Sequence, residues 1–163
     1  MATMNTKNWL HNSRGEWYVI GQALLSLAFL FAPRLDGRTP TRLDIAVIAG
    51  GVLFIIGLGF IVVGTIGLGR GNSLSAFPKP RDNASLVTSG VFSIVRHPIY
   101  SGFIFLALGW SLLWSSVAAF VAALALLIFF DIKARREERW LEAKFSDYAA
   151  YKQHIKKLIP FLY

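Results

Sequence analysis

Apolar residues fall into three long uncharged runs separated by polar connections, and these runs set the predicted architecture. The first extends from about Trp17 to Ala32, the second from Ile45 to Leu68, and the third from Pro98 to Phe130. At about 1.5 Å of rise per residue, roughly 20 residues cross about 30 Å of hydrocarbon. The second run is therefore predicted as a spanning helix over 45–68. The first, predicted over 17–32, is near the short end for crossing. It opens on the interfacial pair Trp17-Tyr18 and closes at Pro33, which disfavours helix at the residue before it. The third is interrupted at Trp110-Ser111-Leu112-Leu113-Trp114-Ser115-Ser116. Indoles and hydroxyls of this kind suit a turn at an interface, so a helical hairpin over 99–113 and 116–131 is predicted rather than one tilted helix, with each arm short for a full span.

The polar segments organise the rest. The stretch before Trp17 is polar, but no small-residue cleavage pattern follows the first apolar run, which is therefore kept as a span. Residues 34–42 predict an exposed loop, with Thr41 or Asp44 as a cap for the helix that follows. Glycines at 50, 51, 57, 59, 64 and 67 give small faces, such as Ala46-x-x-x-Gly50, where a second helix can approach closely. Gly57-Leu58-Gly59 lacks the strand-turn-helix context of a nucleotide fingerprint. Residues 70–96 form the longest polar connection, in which Leu86 to Phe92 predicts a short ordered segment. Beyond Phe130 the chain turns charged and helical over 132–155. There Glu137, Trp140, Leu141, Lys144 and Tyr148 share one side, while Ile132, Arg136, Arg139 and Ala143 share another.

Composition places this all-α pattern in a membrane. Of 163 residues 55% are hydrophobic and only 16% charged, with a mean hydropathy of +0.51, too little polar surface for a soluble domain of this size. There is no cysteine, which excludes disulfides and thiolate metal sites. The net charge of +8 is assigned to loops and anionic headgroups rather than to nucleic acid, since no basic-aromatic recognition motif is present. With four crossings, fourteen basic residues fall on the side holding both termini and three on the other. The positive-inside rule makes the first side cytoplasmic. The 70–96 loop, Arg96-His97 and Glu137-Glu138 then converge on one compartment.

Candidate chemistry centres on Arg96-His97-Pro98-Ile99-Tyr100-Ser101-Gly102, ionisable groups at the mouth of an apolar run, where they are expensive to keep unless used. Singly, each has a bland role: Pro98 can start a helix, Arg96 can anchor at headgroups, and Glu137-Glu138 can pair with nearby arginines. His11, His97 and His154 lack metal-ligand spacing, and no activated serine is evident. Together the groups suit a zwitterion bearing an aromatic ring. A carboxylate would meet Arg96 or backbone N–H, an ammonium Glu137 or Glu138, and a purine an aromatic side chain. S-adenosylmethionine has that form.

The ordered series Leu86-Val87-Thr88-Ser89-Gly90-Val91-Phe92, Arg96-His97-Pro98-x-Tyr100-x-Gly102, Glu137-Glu138, Phe145-x-x-Tyr148-x-x-Tyr151 and Ile159-Pro160 resembles the isoprenylcysteine carboxyl methyltransferase family, whose general pattern membrane phospholipid methyltransferases share. The resemblance covers about residues 60 to 161. It implies a helical membrane methyltransferase that uses S-adenosylmethionine on a lipophilic, membrane-partitioned acceptor, a prenylcysteine-like carboxylate or a lipid amine. By position it places cofactor contacts on Leu86, Val87, His97, Pro98, Ile99, Tyr100 and Glu137, with Phe92 where a tyrosine is common and Glu138 beside them. Lys133 stands where the prenylcysteine enzymes have a substrate-facing arginine, and lysine lacks that bidentate grip. Ala84 replaces a histidine and Ser146 a glycine. Arg96 and Arg136 are candidates to fix an acidic group of substrate or cofactor. Two rivals are an NADPH-dependent membrane reductase of the sterol-reductase type and a non-catalytic membrane adaptor. The reductase family uses a similar His-Pro-x-Tyr motif, but Ser101-Gly102-Phe103 lacks the acidic residue expected after it.

Overall fold

A computed structural model describes residues 14–36 and 44–163. Lys7, His11 and Thr41 lie outside the described residues. The helices are α1 (Glu16–Phe31), α2 (Pro33–Asp36), α3 (Ile45–Arg70), α4 (Pro98–Leu113), α5 (Val117–Lys144) and α6 (Tyr148–His154), with a 3-10 turn at Gly90–Ser93. Among the described residues, three stretches are long and apolar enough to cross a membrane: Glu16–Asp36, Ile45–Arg70 and Val117–Lys144; α4 is shorter. The all-α membrane architecture is as predicted, and the turn at Trp114-Ser115 separates α4 from α5; of these two arms only α4 is short, because α5 is by itself long and apolar enough to cross.

Two boundaries differ from the sequence expectation. Pro33 does not end the helical path. It opens α2, where a missing N–H costs nothing, and Leu35 N–H donates to Ala32 O at 3.0 Å. The charged stretch after Asp131 is not a separate cytoplasmic helix, because α5 continues unbroken to Lys144. Hydropathy changes sign near Asp131, but Lys, Ala, Arg, Glu and Leu are all good helix formers and neither Gly nor Pro intervenes. The helix ends where Phe145 turns extended.

The tightest packing joins α3 to α4. Gly50, Gly57 and Gly64, seven residues apart, are the buried positions of α3. A Cβ on Gly57 would lie 2.6 Å from Leu106 N and 2.7 Å from Gly102 O, and one on Gly109 would lie 2.6 Å from Gly50 O. The backbones therefore touch, as small-residue faces in membranes allow. Asp44 Oδ1 accepts from Val47 N–H at 2.9 Å, capping α3 as expected.

At the far end of the bundle Asp36 accepts from Ser116 Oγ–H at 2.6 Å and from Ala118 N–H at 2.9 Å, tying α2 to the start of α5. Phe29, Ile104, Ala107, Ala123, Leu126 and Phe130 form the apolar core between α1, α4 and α5, joined by Leu158 from the C-terminal segment. That segment returns to the start of α4, where Arg96 N–H donates to Lys156 O at 2.8 Å and His97 N–H to Lys157 O at 3.1 Å.

Candidate active site

The alternating helices bring the start of α1, the end of α3, the start of α4 and the charged half of α5 to one end of the bundle. A cavity of about 740 Å³ lies there, lined in part by the 73–87 loop and by α6. Its size falls within the roughly 300–1,000 Å³ of small-molecule sites.

Leu86, Val87, Phe92, His97, Pro98, Ile99, Tyr100, Lys133 and Glu137 all line this cavity. His97 is the N-cap residue of α4 and Pro98 its first residue, so the proline imposes the helical turn that carries Tyr100 inward. The His97 and Tyr100 rings stack at 5.3 Å and 3°, and Tyr100 stacks in turn on Phe130 at 4.9 Å. Tyr100 O–H donates to Glu137 Oε2 at 2.6 Å. Along α5, Lys133, Glu137 and Leu141 face the cavity at four-residue steps, about 6 Å apart each.

Glu138, Arg96 and Arg136 depart from the sequence expectation. Glu138 does not line the cavity. It is buried beneath it, 2.8 Å from Arg96 Nη2, 3.3 Å from His97 Nε2 and 3.4 Å from Lys152 Nζ. Adjacent helical residues point about 100° apart, so the pair divides into one cavity carboxylate and one internal counter-ion. Arg96 lines the cavity, but its guanidinium is engaged by Glu138 and by the carbonyls of Lys152 and Ile155. Arg136 does not line the cavity; its guanidinium lies 4.6 Å from the Trp140 ring centroid.

Gln22 and Tyr148 also line the cavity, and neither was among the candidates. Lys133 Nζ–H donates to Gln22 Oε1 at 2.6 Å and sits 5.0 Å from the Tyr100 ring centroid. A lone amide inside the first apolar run was the available signal for Gln22. Because Lys133 is buried, Gln22→Leu is expected to destabilise the protein by about 1.5–3 kcal/mol, the usual worth of a hydrogen bond to a charged group. Thermal unfolding in detergent, followed by tryptophan fluorescence, measures it.

Tyr148 and Tyr151, on α6 outside the membrane helices, have phenol pKa values raised chiefly by burial, so both keep their protons. Tyr151 O–H donates to Phe92 O at 2.6 Å and pins α6 to the 3-10 turn. Among the described residues, no cluster of three or more His, Cys, Asp or Glu could hold a metal ion. The donors fit a cofactor of the S-adenosylmethionine kind: one cavity carboxylate, a neutral phenol, and aromatic and aliphatic walls.

The chain is 33% identical over 114 residues to protein-S-isoprenylcysteine O-methyltransferase B of Arabidopsis thaliana, covering 68% of this chain and 58% of that protein. It is 28% identical to the cobalt-zinc-cadmium resistance protein CzcN of Cupriavidus metallidurans, covering 94% of this chain and 66% of that one. The fold matches the structure of the eukaryotic intramembrane Ras methyltransferase (isoprenylcysteine carboxyl methyltransferase) with a TM-score of 0.66 at 22% identity, over 90% of this chain and 53% of that one. The chain thus spans about three fifths of the length of these curated relatives. The family model described as phospholipid methyltransferase matches residues 45–148, from the first residue of α3 to the first of α6 and so around most of the cavity. The chain belongs to the phospholipid methyltransferase family, with isoprenylcysteine O-methyltransferases among its relatives.

Proposed function

We propose that this protein is an S-adenosylmethionine-dependent methyltransferase acting on a lipophilic acceptor that enters from the bilayer. The observation that carries this is the display of Lys133, Glu137 and Leu141 along one cavity wall, running from just beyond the apolar part of α5 toward α6. Bound there, the cofactor supplies an electrophilic methyl group; the protein need only hold donor and acceptor in line and exclude water.

Glu137 binds the cofactor's ammonium or ribose hydroxyls, held in place by the Tyr100 phenol. Leu86, Val87, Phe92, His97, Pro98 and Ile99 shape the surrounding wall. Lys133, steadied by Gln22, offers one cation to an acidic or electron-rich acceptor group. Arg96 and Glu138 act as positioning residues through His97, and Arg136 anchors at the headgroup layer beside Trp140. The cavity end and both chain ends face the cytoplasm, in keeping with the excess of basic residues there.

Glu137→Gln is expected to weaken S-adenosylmethionine binding roughly tenfold or more, since a hydrogen bond to a charged group is worth about 1.5–3 kcal/mol. Titration calorimetry measures it, and wild-type affinity in the variant removes Glu137 from the site. Incubation with labelled S-adenosylmethionine, a lipid extract and prenylcysteine analogues should yield a methylated lipophilic product. A thermal shift with NADPH but none with S-adenosylmethionine would replace this reading by the reductase.

A further inference from the structure

After α6 the chain closes into a small loop over residues 158–163 that presents two large apolar side chains outward. Phe161 is 84% exposed and Leu162 74%, although Leu158 at the base of the loop is buried in the core. Phe161 also holds φ at +63°, a left-handed conformation that bulky residues rarely adopt. The loop pairs its own backbone. Tyr163 O accepts from Leu158 N–H at 2.7 Å and from Ile159 N–H at 2.8 Å. Ile159 O accepts from Leu162 N–H at 3.1 Å and from Tyr163 N–H at 3.0 Å, and Pro160 has no N–H to satisfy. Water would satisfy such donors on an open surface; internal pairing suits a place where water is scarce.

Helix α5 fixes where the loop sits. Val117, Val121, Leu124, Ile128 and Ile132 are exposed at three- and four-residue steps and form the lipid-facing stripe of this spanning helix. Asp131 and Arg135 continue the same side at its charged end. Tyr163 engages both: its O–H donates to Asp131 Oδ1 at 2.9 Å, and it accepts from Arg135 Nη2–H at 3.4 Å. Lys157 Nζ–H donates to Asp131 and to Tyr163, which closes the cluster. The loop is thus fastened about one helical turn beyond Ile128, on the side of α5 that meets lipid. None of residues 158–163 lines the cavity. Exposed Lys156 and Arg135 flank the apolar pair, and basic residues beside exposed apolar ones are the composition of interfacial membrane anchors.

We propose that the 158–163 loop is an interfacial anchor whose partner is the lipid bilayer. Phe161 and Leu162 enter the boundary between headgroups and acyl chains in the leaflet on the cavity side, while Lys156 and Arg135 stay at the lipid phosphates. The bilayer then braces the segment whose Lys156 and Lys157 carbonyls hold the Arg96 and His97 N–H groups. This surface is independent of the reaction proposed above.

The chain contains no cysteine, so one introduced thiol carries one nitroxide label. Phe161→Cys and Leu162→Cys are labelled separately in the full chain, in nanodiscs of phosphatidylcholine and phosphatidylglycerol. Ile128→Cys serves as the lipid reference and Gln153→Cys, exposed on α6, as the water reference. Power-saturation EPR compares collisions with oxygen, which partitions into hydrocarbon, and with a water-soluble nickel chelate. Oxygen should prevail at 161 and 162 as at 128, and nickel at 153. Nickel prevailing at either loop position places the loop in water and overturns the proposal. Shielding from both reagents means that protein, such as a second copy, covers the loop, and overturns it as well. A second measurement needs no substitution: a diazirine-bearing phospholipid should label residues 158–163 of the wild type on irradiation. Label on the α5 stripe with none on the loop overturns the anchor.

Discussion

Gly57→Leu is expected to leave no folded protein, whereas Gly59→Leu on the same helix is expected to be silent. At Gly57 even a methyl would lie 2.6 Å from Leu106 N and 2.7 Å from Gly102 O, both of them backbone atoms of a packed helix that cannot turn aside. At Gly59 no atom lies within 4 Å of the same added carbon. Inserting one extra methylene into a packed interior costs about 1–3 kcal/mol. A full leucine side chain against the α4 backbone must instead separate α3 from α4, and the loss should approach the whole stability of about 5–15 kcal/mol typical of folded proteins. Gly57→Ala falls between the two. Expression with size-exclusion chromatography in detergent distinguishes the three variants. A monodisperse Gly57→Leu protein would mean that the glycine contact does not set the helix separation.

Glu138→Ala is the second large effect. It leaves the Arg96 guanidinium, with a side-chain exposure of 8%, without its carboxylate, and it removes the partner of His97 Nε2. Breaking a buried ion pair by deleting one member costs about 3–5 kcal/mol, while replacing both members by apolar groups is often close to neutral. Arg96→Met/Glu138→Leu should therefore recover much of what Glu138→Ala loses in thermal stability, although not the bonds from Arg96 to the Lys152 and Ile155 carbonyls. Under the proposed function, methyl transfer should stay low in both variants, because His97 loses the Glu138 carboxylate beside its Nε2. A double variant no more stable than Glu138→Ala would show that the carbonyl contacts, not the ion pair, dominate.

The sequence carried the apolar runs, the hairpin and the cavity motif because each rests on a pattern that backbone geometry must respect. Runs of uncharged residues have no other stable home, and the Trp114-Ser115 turn follows from the same rule. What it could not carry was phase. Glu137 and Glu138 are equivalent on paper, and only the rotation of α5 sends one to the cavity and the other to Arg96. The same rotation turns Arg136 toward Trp140. The second hairpin arm runs on past Asp131 because hydropathy marks where lipid ends, not where hydrogen bonds of the helix end. Gln22 was hidden for another reason: its partner Lys133 lies 111 residues away, and no local spacing links them.

The return of residues 156–158 to the start of α4 gives the protein a biosynthetic order. The N–H groups of Arg96 and His97 acquire their backbone partners only when Lys156 and Lys157 have been made, and Leu158 closes the apolar core from the same segment. Membrane helices can enter the bilayer one after another during synthesis, but the Arg96 and His97 N–H groups at the start of α4 wait for this segment to emerge. A ribosome stalled before Lys156 would thus hold an inserted helical bundle in which the start of α4 still lacks these two backbone bonds.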